Sequence, residues 1–133
     1  MLNTYVVEGG VGKCTAFSAL VPKLKEKSEV QIYTPYIGCF ASNPDVKLVL
    51  EQTLPLADPR IQASDNIYYS EPYKSNFQFG KQHIIESYCE LHGVKYDKSM
   101  LPKLYTEHHN KSVKEWLTKN EISKYLLIQF SGG

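Results

Sequence analysis

Residues 8 to 15, Glu-Gly-Gly-Val-Gly-Lys-Cys-Thr, follow the short apolar run Leu2 to Val7 and lead into a segment of helical spacing. Strand, glycine loop and helix in that order form the geometry of a phosphate-binding turn. Gly9, Gly10 and Gly12 let the backbone turn sharply and approach a ligand, while the helix start presents unpaired N–H groups and the positive end of its dipole. Three unrelated kinds of protein open in this way, so the remainder of the chain has to separate them.

After the loop, Thr15 to Lys27 carries Phe17, Leu20, Val21 and Leu24 at helical spacing, with Lys23, Lys25, Glu26 and Lys27 on the far side. Pro22 inside this segment predicts a kink or a lost hydrogen bond. Val30 to Thr34 alternates as a strand and closes a βαβ unit with an expected right-handed crossover, and Pro35 ends it. Residues 36 to 44 read as a loop, and Asn43-Pro44-Asp45 as a turn before the apolar runs of Val46 to Leu50. Leu54 to Ser64 shows little periodicity, Ile67 to Tyr69 is a short strand, and Ser70-Glu71-Pro72-Tyr73 is a loop. Lys81 to His92 places Ile84, Ile85, Tyr88 and Leu91 on one helical face, with Gly93 as the stop. Ser112 with Glu115 has the capping-box pattern and predicts a helix over Val113 to Lys119 that buries Val113, Trp116 and Leu117. Tyr125 to Phe130 is a nearly continuous apolar strand ending in Ser131-Gly132-Gly133. The expected fold is α/β: a Rossmann-like parallel sheet flanked by helices in three αβα layers. The last strand with its glycine turn is how such a fold begins a second nucleotide-binding half.

A length of 133 residues points to one domain that buries roughly two thirds of its unfolded surface. A net charge of +1 gives no global field for nucleic acid or an anionic membrane. Apolar stretches are short and interrupted by Lys, Glu or Pro, and no basic segment with an apolar core opens the chain, so neither a membrane span nor a secretion signal is expected. Cys14, Cys39 and Cys89 are odd in number and widely spaced, which fits a reducing, cytoplasmic setting. Of ten tyrosines, seven lie from Tyr33 to Tyr96; sugar-binding surfaces cluster aromatic groups in this way, as do ordinary half-buried positions.

The glycine loop departs from two well-known patterns. A Walker A loop requires glycine where Val7 stands and Ser or Thr where Cys14 stands, and a thiol is a poor ligand for magnesium. In the ParA and MinD form a lysine precedes the paired glycines; here it is Glu8. The strand Val30 to Thr34 also lacks the magnesium-binding Asp expected at its end. The dinucleotide fingerprint has Thr15 in place of its third glycine and no acidic ribose ligand after the second strand. His83, Cys89 and His92 point in directions about 240° and 180° from the first on a helix, so they do not converge on a metal. Cys14 beside a helix start is a candidate activated thiol without an assigned histidine partner.

Several segments in order resemble a third group. The first strand with Gly-Gly-Val-Gly, the strand Val-Gln-Ile-Tyr-Thr-Pro-Tyr, and Asn43-Pro44-Asp45-Val46 are among them. Glu71-Pro72-Tyr73, the His83-containing helix, Pro102 to Tyr105, and Tyr125 to Gly133 complete the series. Together they resemble the GT-B glycosyltransferases of the ADP-heptose:lipopolysaccharide heptosyltransferase-like family 9, over nearly the whole chain. The resemblance implies an amino-terminal, acceptor-side domain over 1–124 and, in 125–133, the first strand and glycine turn of a donor half, without which the chain is inactive. The implied partners are a nucleotide-sugar donor and a glycan or lipopolysaccharide-type acceptor, with no nucleic acid, no stable membrane insertion, and self-association of the isolated domain. No cofactor and no metal are implied. Where members carry Asp after the loop glycine, this chain has Lys13; Lys13 and Glu71 are the catalytic candidates, with Glu8 a further possible base. Gly9, Gly10, Gly12, Tyr36, Tyr73 and His83 are the acceptor-side candidates, and Gln129, Ser131 and Gly132 the donor-side ones. Non-catalytic carbohydrate binding and a deviant P-loop nucleotide switch are the alternative functions.

Overall fold

The computed structural model describes residues 1–72, 80–105 and 107–124, so the strand expected over 125–130 lies outside the described residues. The elements run β1 (Leu2–Val6), α1 (Val11–Ser18), α2 (Val21–Lys25), β2 (Glu29–Thr34), a turn of 3-10 helix (Ile37–Cys39) and β3 (Val46–Glu51). They continue through α3 (Pro59–Gln62), β4 (Asn66–Tyr69), α4 (Ile84–Leu91) and α5 (Glu107–Lys119). The four strands form one all-parallel sheet in the order β3-β2-β1-β4, which makes the fold α/β and Rossmann-like. Successive strands step outward from β1 to β3, and the chain then crosses back to place β4 on the other side of β1. In open α/β sheets such a reversal leaves a crevice at the carboxyl ends of the strands it separates, here β1 and β4.

Both faces of the central strands are covered, as a parallel sheet requires. Tyr5, Val7, Val30 and Ile32 pack under Phe17, Leu20, Leu24, Ile85 and Tyr88 from α1, α2 and α4. On the opposite face Val6, Tyr33 and Leu50 close around Ile61 of α3. The buried amides of Gln31 and Asn3 are paired: Gln31 Nε2 donates to Thr4 Oγ1 and to the Arg60 carbonyl, each at 2.9 Å, and Asn3 Nδ2 donates to Ser28 at 3.0 Å. These bonds remove the desolvation cost those groups would otherwise carry.

The helix expected over 15–27 is two helices, and the first begins earlier. Gly10 is extended (φ −75°, ψ 164°) and caps α1, so Gly12, Lys13 and Cys14 are already helical. Pro22 stands in the first turn of α2, where its missing N–H has no partner to lose, so it starts a helix instead of kinking one. Residues 54–64 contain α3, whose signal was Asp58-Pro59: Asp58 accepts the Arg60 N–H at 2.9 Å as the cap and Pro59 occupies the first turn. Two packing expectations are corrected. In α4, Leu91 is exposed and Cys89 is buried beside Tyr88, because the buried face is turned toward α1. Helix α5 begins at Glu107, which puts Ser112 inside the helix, and Val113 and Trp116 are 49% and 58% exposed.

Ile61 is fully buried and plugs the second core, so Ile61→Ala should cost about 2–5 kcal/mol in chemical denaturation. Trp116→Ala, despite the larger side chain removed, should change stability by only about 0.5 kcal/mol.

Candidate functional site

The crevice at the carboxyl edge is built from two loops. After β1 the chain passes Val7 to Gly10 before α1 begins, and Gly9 takes φ +93°, a region that glycine occupies without strain. Lys13, in the first turn of α1, folds back across Gly9 so closely that a Cβ there would lie 2.6 Å from Lys13 Cδ. The lysine Nζ donates to both oxygens of Glu71, at 3.3 and 3.4 Å. Glu71 follows β4, so this pair ties the β1 loop to the β4 loop across the reversal in strand order. The lysine side chain is 13% exposed and the glutamate 39%: the cation is covered and the carboxylate faces solvent.

Glu8, the other carboxylate considered as a base, is directed elsewhere. Gln52, just after β3, donates to Glu8 Oε1 at 2.5 Å, which draws Glu8 toward the β2–β3 side. Tyr36 is exposed just after β2 on the same edge, its N–H bonded to Thr34 Oγ1 at 3.2 Å. His83 serves as the cap of α4, its Nδ1 accepting the Ile85 N–H at 3.3 Å. Gly12 and His83 do come together. They border a groove of about 450 Å³ between α1 and α4, with Thr15, Ile84, Tyr96 and Met100 also on its walls. Tyr96 belongs to the tyrosine-rich middle of the chain, and Met100 had no sequence pattern that would have marked it. A depression of about 490 Å³ lies at the opposite, amino end of the sheet, where Lys23 pairs with Glu26 and Lys27 donates to the Gly93 carbonyl. Tyr73, Gln129, Ser131 and Gly132 lie outside the described residues, as does the second-half segment 125–133.

The geometry bears on the other chemistries as well. Only Val7 to Gly10 separate β1 from α1, a shorter connection than a loop that wraps a phosphate. Cys14 is fully buried, its Sγ 3.4 Å from Thr34 Oγ1 and 3.8 Å from the Val7 carbonyl, and burial raises its thiol pKa. That position suits neither a magnesium ligand nor an activated nucleophile. Among the described residues no group of three or more His, Cys, Asp or Glu side chains could hold a metal ion, and Cys14, Cys39 and Cys89 are free thiols. No described helix is long and apolar enough to cross a membrane.

His92, at the end of α4, entered the sequence reading only as a metal ligand that does not converge with His83, and its place behind β4 had no sequence signal. Its ring meets Tyr5, Phe17 and Tyr68 edge-on at 5.2, 5.6 and 6.0 Å, and burial in this aromatic surround lowers its pKa to about 4.

With the fold and the crevice in view, comparison with known proteins adds no relative: no protein family, no curated protein and no solved structure matches the chain. The class is therefore defined by the fold itself, a Rossmann-like α/β domain with a polar crevice where its strand order reverses.

Two outcomes test this geometry. Gly9→Ala meets both a positive φ and Lys13, and should cost about 1–3 kcal/mol in denaturation, whereas Gly12→Ala, with open space at its Cβ, should be neutral or stabilising by up to about 1 kcal/mol. The second concerns pH. The unfolded chain binds a proton at His92 near the ordinary value of 6.5, and the folded chain only near 4. Stability is therefore full above pH 6.5, falls as pH drops from 6.5 to 4 and levels off below 4, a loss of about 3 kcal/mol at most. Denaturation curves of His92→Gln should lack this fall between pH 6.5 and 4.

Proposed function

We propose that the chain is the acceptor-side domain of a cytoplasmic glycosyltransferase of GT-B architecture, which moves a sugar from a nucleotide-sugar donor to a glycan acceptor. The observation that carries this reading is the Lys13–Glu71 pair, which joins two loops at the strand-order reversal and leaves the carboxylate facing solvent. In open α/β sheets ligands bind at that crevice, outside the carboxyl ends of the strands. The α1–α4 groove, starting at Gly12, supplies an adjoining surface with an aromatic wall and a polar rim.

In this mechanism Glu71 is the general base. It takes the proton of an acceptor hydroxyl as that oxygen bonds to the anomeric carbon of the donor, while the bond from that carbon to the nucleoside diphosphate breaks. Lys13 orients the carboxylate through its charge-assisted hydrogen bonds. The lysine therefore does not act as the base. The donor belongs to a second α/β half, and an isolated acceptor side would bind sugar without transferring it. Exposed Leu101, Val113 and Trp116 are the side chains through which an isolated half would self-associate.

The reading is tested by NMR titration of the 133-residue chain with oligosaccharides and, separately, with magnesium–ATP. Shifts confined to residues 9–15, Glu71 and the α1–α4 groove on adding a saccharide support it. Shifts in the glycine loop with nucleotide alone would replace it with a phosphate-binding switch. In the form that carries the donor half, Glu71→Gln should lower kcat by about 10²–10⁴-fold. Saccharide binding with no transfer by that form would make the domain a carbohydrate-binding module.

A further inference from the structure

The three residues at the end of β4 are held by different means. Ser70 is 3% exposed; its N–H donates to the Val6 carbonyl at 2.9 Å, the last rung between β1 and β4, and its Oγ lies 3.0 Å from His92 Nε2. Pro72 is buried, and a proline restricts the residue before it to extended backbone. Glu71, between them, is the residue whose carboxylate meets Lys13. Its backbone is thus fixed on both sides.

The hydroxyl of a serine this deeply buried is not open to a substrate, so the Ser70–His92 contact is not a nucleophile with its base. Packing alone does not explain the imidazole either. A phenyl ring would fill the space among Tyr5, Phe17 and Tyr68, but it would leave the Ser70 hydroxyl without that bond. The polar nitrogen at this position has one described side-chain partner, and that partner directly precedes Glu71.

We infer that His92 is a positioning residue of the crevice: through Ser70 it fixes the end of β4 so that the Glu71 carboxylate stays on Lys13. The imidazole reaches across from the end of α4, so a helix that belongs to the core also sets the geometry of the loop on the sheet edge. Its ring orientation is in turn set by three aromatic rings, one from β1, one from α1 and one from β4. The consequence concerns the sugar-transfer reading, but the inference rests on geometry that is measurable without any substrate.

The test is amide hydrogen exchange on the 15N-labelled chain, together with the Lys13 ammonium resonance, for His92→Phe, His92→Gln and Ser70→Ala. In His92→Phe and Ser70→Ala, exchange at the Ser70 amide should accelerate about tenfold or more while that of Ile32, at the centre of the sheet, stays unchanged. The Lys13 ammonium signal should lose its distinct shift in the same two variants. His92→Gln, which retains a polar partner, should preserve both readouts. Equal acceleration at Ser70 and Ile32 would mean that His92 only supports the core, and no change in Ser70→Ala would show that the contact positions nothing; either result overturns the inference. Should His92→Phe not fold, Ser70→Ala removes the same bond and leaves the aromatic rings in place. Exchange that behaves as expected in a chain that binds no saccharide would remove the proposed function and leave the positioning role standing.

Discussion

Burial of β1 between two parallel neighbours governs this structure. A strand flanked by β2 on one side and β4 on the other has no free edge, and both its faces are taken, by α1, α2 and α4 above and α3 below. The chain can satisfy this only by building outward in one direction and then crossing back. The reversal is what leaves the carboxyl end of β1 open to ligands, with a different loop on either side. Every residue singled out in the crevice lies there because of this arrangement: Lys13 follows β1, and Glu71 follows β4.

Much of the fold was legible because its cause is local. Strand alternation in Val30 to Thr34 and the apolar run of Leu2 to Val7 are written directly in side-chain order, and both became central strands. The short helix α3 escaped because its signal is a cap and a proline, Asp58-Pro59, without a periodic stripe. In α5 the stripe of Val113, Trp116 and Leu117 is helical as expected, but Val113 and Trp116 are exposed and Leu117 is only half-buried. Periodicity reports which residues share a face, and it does not say whether anything covers that face. The candidate site was legible at Gly9, Gly12 and Lys13. That Lys13 meets Glu71, 58 residues away, depends on strand order, which no local pattern encodes. His92 was still less visible, since its role depends on three rings and a serine from separate elements.

The energetics of the Lys13–Glu71 pair favour a role in orientation over one in stability. A pair with one exposed partner contributes about 1 kcal/mol or less to folding, because solvent screens the charge and two flexible side chains must be ordered. Its geometry nevertheless has several independent supports: Gly9 makes room for the lysine chain, Pro72 restricts the glutamate backbone, and the Ser70 rung holds the strand end. So much structural investment around a weak ion pair is the pattern of a site in which position matters more than binding strength. Under the proposed sugar transfer, a lysine stands where the resembled transferases carry an acid because the carboxylate is supplied from β4 and the lysine holds it.

The central claim is that Lys13 and Glu71 act as one unit on a bound saccharide. A double-mutant cycle on saccharide affinity, with Lys13→Met, Glu71→Gln and the combined variant measured by calorimetry, tests it most directly. The account predicts that the double variant binds no worse than the weaker single one, so that the two losses overlap. Losses that simply add, or affinities unaffected by either substitution, would contradict it.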